Sequence, residues 1–133
     1  MDTMPYELVY ASWITAIGDQ QFLLEMVQRA RAKNARLDVT SMLQFDGDRF
    51  LQLLEGEEEV VKALAGQIER DPRHQGYALL HAAPRTGRRR FTDQSLAFAA
   101  AETHSLGPLI SRNTGLQLAD HLQATPVSRI DFG

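Results

Sequence analysis

The chain has no cysteine among its 133 residues. That excludes disulfide cross-links, thiolate nucleophiles and zinc–thiolate sites, and it accords with a reducing compartment. An excess of one charge is lacking too: 14 Lys and Arg stand against 17 Asp and Glu, a net of -3, with a pI near 5.8. No basic footprint for nucleic acid or an anionic membrane surface follows from such a balance, so neither is expected as a partner. No apolar run approaches the ~18 residues of a spanning helix, and the start, MDTMPYELVY, is too acidic and too poor in apolar residues for a signal peptide. The cytoplasm is the expected location. His74, His81, His104 and His121 fall at no metal-ligand spacing, so no metal site is expected. Repeats and low-complexity tracts are absent, and this length suits one domain that needs no staples for its core.

What is present reads as alternating strands and helices. YELVYASW at 6–13, rich in aromatic and β-branched types, predicts a first strand with Leu8, Tyr10 and Ser12 on one face. Asp19 can cap a helix through QQFLLEMVQRARAK, with Leu23, Met26, Val27 and Ala30 at helical spacing. Asn34, about three turns beyond Leu23, extends that apolar stripe and faces the sheet if the helix reaches it. Residues 37–56, LDVTSMLQFDGDRFLQLLEG, read as two strands joined at Asp46-Gly47. For a two- or a four-residue loop alike, Val39, Ser41, Leu43 and Phe45 share a face with Phe50, Gln52 and Leu54. The two-residue register sets Ser41 directly opposite Gln52. A second amphipathic helix places Val61, Leu64, Ala65 and Ile68 inward and ends at Asp71-Pro72. Tyr77–Ala83 and Phe91–Phe98 read as fourth and fifth strands around the basic turn PRTGRRR, and short helical pieces follow, the clearest at 116–122.

The expected fold is therefore α+β, a ferredoxin-like βαββαββ arrangement with a five-stranded sheet and both helices on one face. The other face of the hairpin, with Met42, Leu51 and Leu53, is apolar and needs cover, which a helical extension over 99–133 can supply. Tyr10, Asn34 and Gln52 then point into one helix-to-sheet layer. Two amides and a phenol offer donors and acceptors without charge, which suits the edge of a flat heterocycle carrying alternating C=O and N–H groups. Neither an activated nucleophile nor a carboxylate pair accompanies them, so hydrolysis is not expected. A buried glutamine without partners costs roughly 1 to 3 kcal/mol, so something must bond Gln52. Taken singly, each residue has a plainer reading: Tyr10 as an ordinary buried tyrosine, Asn34 as a helix terminator, Gln52 at a wet sheet edge, His74 in a loop, Arg88–Arg90 as a solvated turn.

The runs LVYAS at 8–12, Ala30–Asn34, FLQLLEG at 50–56, DPRH at 71–74 and RRF at 89–91 resemble, in order and spacing, the BLUF domains, blue-light sensors using FAD. The likeness covers about Tyr6 to Phe98, taken as a domain over 1–98. It implies a non-covalently held flavin between the two helices, with Asn34 anchoring the amide edge of its ring. Tyr10 would be the light-driven electron and proton donor, and Gln52 the switch that rearranges its hydrogen bonds to leave a red-shifted state. Arg73 and His74 match positions beside the flavin, and Arg31 and Lys33 are candidate contacts to its ribityl-phosphate portion. The resemblance also implies a signalling protein of the short stand-alone type rather than an enzyme, acting through an unidentified protein partner or a homo-oligomer. Two departures stand out: Val39-Thr40-Ser41 where the family commonly reads I-T-G, and Gln94-Ser95-Leu96 in place of its W-S-M run. They leave open a degenerate domain that serves as an interaction module. An acylphosphatase-like enzyme is the third reading, disfavoured by the lack of a phosphate-cradling glycine loop near the first strand.

Overall fold

The computed structural model describes residues 4–15, 20–92, 94–101 and 105–127. Asp19, the expected helix cap, and His104 lie outside them. The elements run β1 (Tyr6–Ile14), α1 (Gln20–Arg36), β2 (Thr40–Phe45), β3 (Arg49–Gly56), α2 (Glu58–Arg70), β4 (His74–Pro84), β5 (Ala97–Ala100), α3 (Leu106–Arg112) and α4 (Gly115–Ala124). One sheet has the order β4-β1-β3-β2-β5, antiparallel except for the parallel β2–β5 pair. This is the expected ferredoxin-like arrangement with an added edge strand. Gln52 lies on the central strand, not at a wet edge.

The sheet faces carry separate cores because side chains alternate along each strand. On one face α2 covers Tyr6, Leu8, Tyr10 and Leu54, while α1 covers Leu43, Phe50 and Phe98. The second face buries Val9, Ala11, Met42, Leu51 and Leu53 beneath Leu106 of α3 and Leu118, Ala119 and Leu122 of α4. The helical tail thus supplies the cover that the apolar hairpin face required. Gly115 sets the approach of α4: a Cβ there would lie 2.0 Å from the Leu80 carbonyl oxygen and 2.5 Å from His81 Cβ. Since backbone must move to admit it, Gly115→Ala is expected to cost about 1 to 3 kcal/mol in urea unfolding. A change under about 0.5 kcal/mol, ordinary for a neutral surface site, would contradict this packing.

One alternative left open by the sequence is decided, and three expectations need correction. The hairpin uses the longer loop: Phe45 pairs with Phe50 and Leu43 with Gln52, so Ser41 stands opposite Leu54, not Gln52. Asp46 explains the choice, since its Oδ1 accepts from the Asp48 and Arg49 amides and its Oδ2 from Leu106 N. The fourth strand begins at His74, three residues before the expected start. Gly76, at φ +61°, forms an irregularity there that shifts the register against β1 and lets the strand continue past a turn-like signal. The fifth strand spans Ala97–Ala100, not Phe91–Phe98. Much of the backbone before it bonds outside any ladder: Phe91 N donates to Glu55, and the Ser95 and Leu96 carbonyls accept from side chains. Arg88–Arg90 is not a solvated turn throughout, because Arg90 is buried and ion-paired with Glu7.

Candidate functional site

Between the core beneath α1 and the core beneath α2, the helix layer parts into a cleft of about 760 Å³, its open mouth included. Tyr10, Asn34 and Gln52 all line it and are almost wholly buried, at 1%, 2% and 4% exposed. Helix α1 does reach Asn34, which therefore sits within the helix and does not terminate it. Apolar walls come from Met26 and Ala30 of α1, Leu64 and Ile68 of α2, and Leu43 and Leu54 beneath. Apolar at its walls and carrying a few neutral polar groups, this is a small-molecule site in character.

Tyr10 and Gln52 are cross-strand partners on β1 and β3. The phenol donates to Gln52 Oε1. The Gln52 amino group has no acceptor among the described residues and belongs to the cleft lining. Burial pushes the Tyr10 hydroxyl well above the usual phenol range, which keeps it protonated. Tyr77 stacks on the ring at 5.1 Å between centroids, and His74 meets it edge-on at 6.4 Å. His74 Nδ1 lies 2.8 Å from Ser12 Oγ, and burial lowers the imidazole pKa, favouring the neutral form.

At the mouth, Arg73 also lines the cleft and is clamped by Asp71, whose carboxyl pKa falls to about 2 chiefly through that hydrogen bond. Lys33 donates to Gln67 Oε1 and so bridges α1 and α2 across the opening. Of the expected site residues, Tyr10, Asn34, Gln52, Lys33, Arg73 and His74 converge, whereas Arg31 does not line the cleft. Its Nε donates to the Leu96 carbonyl at 3.1 Å. Arg29 takes that place, and the signal was available: Arg29 and Lys33, four apart, share a helix face, while Arg31 is rotated off it. The Tyr77 stack was not legible, because it depends on the irregularity at Gly76.

Comparison with known proteins decides what family presents this arrangement. The family model "BLUF: Sensors of blue-light using FAD" matches residues 6–97. The chain belongs to the BLUF family. Among curated BLUF relatives, the "Blue light- and temperature-regulated antirepressor BluF" of Escherichia coli (strain K12) is 45% identical over 67 residues, covering 50% of this chain and 17% of that protein. "Photoactivated adenylate cyclase subunit beta" of Euglena gracilis is 37% identical over 68 residues, covering 51% of this chain and 8% of its own length. The chain thus spans less than a fifth of either relative. Among solved structures, "BlrB - a BLUF protein, dark state structure" superposes with a TM-score of 0.76 at 27% identity, covering 92% of this chain and 95% of that one. "BlsA photo-activated state", at 23% identity, shares the fold with a TM-score of 0.82 and covers 96% and 100%.

The BLUF cleft of this chain suits a flavin on its own chemistry. Tyr10, Asn34 and Gln52 give a neutral donor and acceptor set for the ring edge, the walls are apolar, and the mouth carries Arg29, Lys33 and Arg73 for an anionic tail. Among the described residues no helix is long and apolar enough to cross a membrane.

Proposed function

We propose that this chain binds FAD non-covalently in the cleft between α1 and α2 and reports blue light through Tyr10 and Gln52. The observation that carries the reading is the buried Tyr10–Gln52 hydrogen bond on the floor of the cleft, beside a Gln52 amino group with no acceptor among the described residues. When bound, the flavin supplies visible absorption and an excited state that accepts an electron. Tyr10 gives that electron, and its hydroxyl, held protonated in the dark by burial, becomes strongly acidic once oxidised. The proton would pass along the bond it already makes to Gln52 Oε1 while the Gln52 amino group releases one of its own toward the bound ring that has taken the electron, so the amide stays neutral. Gln52 then re-forms its bonds with donor and acceptor exchanged, and return of electron and proton to Tyr10 leaves no net redox change. Asn34 anchors the ring edge, while Arg73, Lys33 and Arg29 lie where a phosphate tail emerges.

The two relatives described above carry different outputs in their names, an antirepressor and a cyclase subunit. For this chain we place the output on α3 and α4, treat 1–98 as the sensing domain, and assign it a cytoplasmic signalling role, not an enzymatic one, with a partner protein or a homo-oligomer as receiver. Incubation of purified protein with FAD, FMN and riboflavin tests the cofactor. Retention of FAD above the other two is the expected result, and a protein left colourless by all three would overturn the reading.

A further inference from the structure

Tyr10 makes one ring contact that the switch described above does not use. Tyr77 of β4 lies face to face with it, 5.1 Å between centroids and 20° between planes. His74, also against Tyr10, meets it edge-on. A phenol gives up an electron more readily than a neutral imidazole, so Tyr77 is the neighbour able to take over an oxidising charge formed on Tyr10. The electron-rich face of each ring also stabilises a positive charge on the other. The two phenols open on different cavities. Tyr10, 1% exposed, lines the cleft between α1 and α2, while half-buried Tyr77 lines a second recess beside α2 with Lys62, Glu69 and Leu79. Water reaches that recess, since Leu79 is 55% exposed. Trp13, as oxidisable as a tyrosine, alternates to the other sheet face and stacks with Arg49.

We propose that Tyr77 is a second redox-active residue, which passes an electron to light-oxidised Tyr10 and is itself refilled by a water-soluble one-electron reductant at the second recess. The inference rests on the flavin reading above. Tyr77 gives one electron to Tyr10 and its phenolic proton to water, and is left as a neutral radical. Tyr10 recovers its own proton by reversal of the Gln52 relay and is restored. The electron that Tyr10 first gave up remains with the flavin. A soluble hydrogen-atom donor, an enediol or a thiol, then returns an electron and a proton to Tyr77. In sum, one electron passes from that donor to the flavin and one proton to water. The photocycle thus branches at Tyr10: return of the electron from the flavin leads to the red-shifted state, and refilling from Tyr77 leads to a flavin that stays reduced.

Electron paramagnetic resonance on flavin-loaded protein, frozen after blue light in the absence of air, tests the branch. The chain has three tyrosines, so substitution assigns the signal. Wild type and Tyr6→Phe show a tyrosyl radical. Tyr77→Phe, which keeps the ring stack and loses only the hydroxyl, shows none, yet it forms the red-shifted state in higher yield because the competing route is closed. Ascorbate added before illumination removes the radical from wild type and lets reduced flavin accumulate faster than in Tyr77→Phe. A wild type that shifts its spectrum with no tyrosyl radical, or a radical that persists in Tyr77→Phe, overturns this inference alone. No flavin uptake by wild type overturns the flavin reading and this inference with it.

Discussion

With Tyr10 replaced by phenylalanine, the protein takes up flavin but shows no red shift on illumination. The phenyl ring keeps the stack on Tyr77 and the apolar contacts beneath α2. What disappears is the hydroxyl that donates to Gln52. An unsatisfied Gln52 acceptor costs about 1 to 3 kcal/mol, which a domain stable by about 5 to 15 kcal/mol survives. Phenylalanine gives up an electron far less readily and has no proton to pass, so both halves of the proposed transfer stop together. Absorbance spectra before and after blue light are the measurement. A shift of wild-type size in the variant would remove Tyr10 from the donor role.

The second large effect lies on the opposite face of the sheet. Arg90→Met is expected to destabilise the protein by about 3 to 5 kcal/mol, because it strands a buried carboxylate. Arg90 Nε donates to Glu7 Oε1 at 2.9 Å, and its Nη1 reaches Asp120 and Gln123 of α4, both at 2.8 Å. Burial alone would raise the Glu7 pKa, but hydrogen bonds from Arg90 and His81 hold it below the usual carboxylate range. One guanidinium therefore ties β1 to the helical tail, while its backbone amide donates to buried Glu55 at 2.7 Å. Urea unfolding checks the loss, and Arg90→Met combined with Glu7→Leu should recover most of it, since the buried Glu7 carboxylate goes with its partner and Asp120, which also loses Arg90, is exposed to water. A single-variant loss under about 1 kcal/mol would show that the pair contributes no more than a surface ion pair.

Much of this arrangement could be read from the sequence because it rests on local pattern. Alternation along 39–45 and 50–54 placed Gln52 on the face toward the helices, and the helical period placed Asn34 beside it. Loop length, which sets the register, depended on Asp46 bonding both its own turn and α3, a contact made 60 residues away. Residues 91–96 carry apolar and polar types suited to a strand, yet Glu55 bonds the backbone of Phe91, Ser41 and Asn34 that of Ser95, and Arg31 that of Leu96. No local pattern encodes such long-range side-chain bonds. Arg90 looked like part of a solvated basic run for the same reason: its partners Glu7 and Asp120 are 83 and 30 residues distant.

At the centre stands the claim that Tyr10 and Gln52 form a light-driven switch against a bound flavin. The light-minus-dark absorbance difference of the FAD-loaded wild-type protein, followed through recovery in darkness, tests it most directly. A red shift that appears under blue light and decays in the dark is the predicted result. Bound flavin whose spectrum does not move would contradict the account and leave a flavin-carrying interaction module in its place.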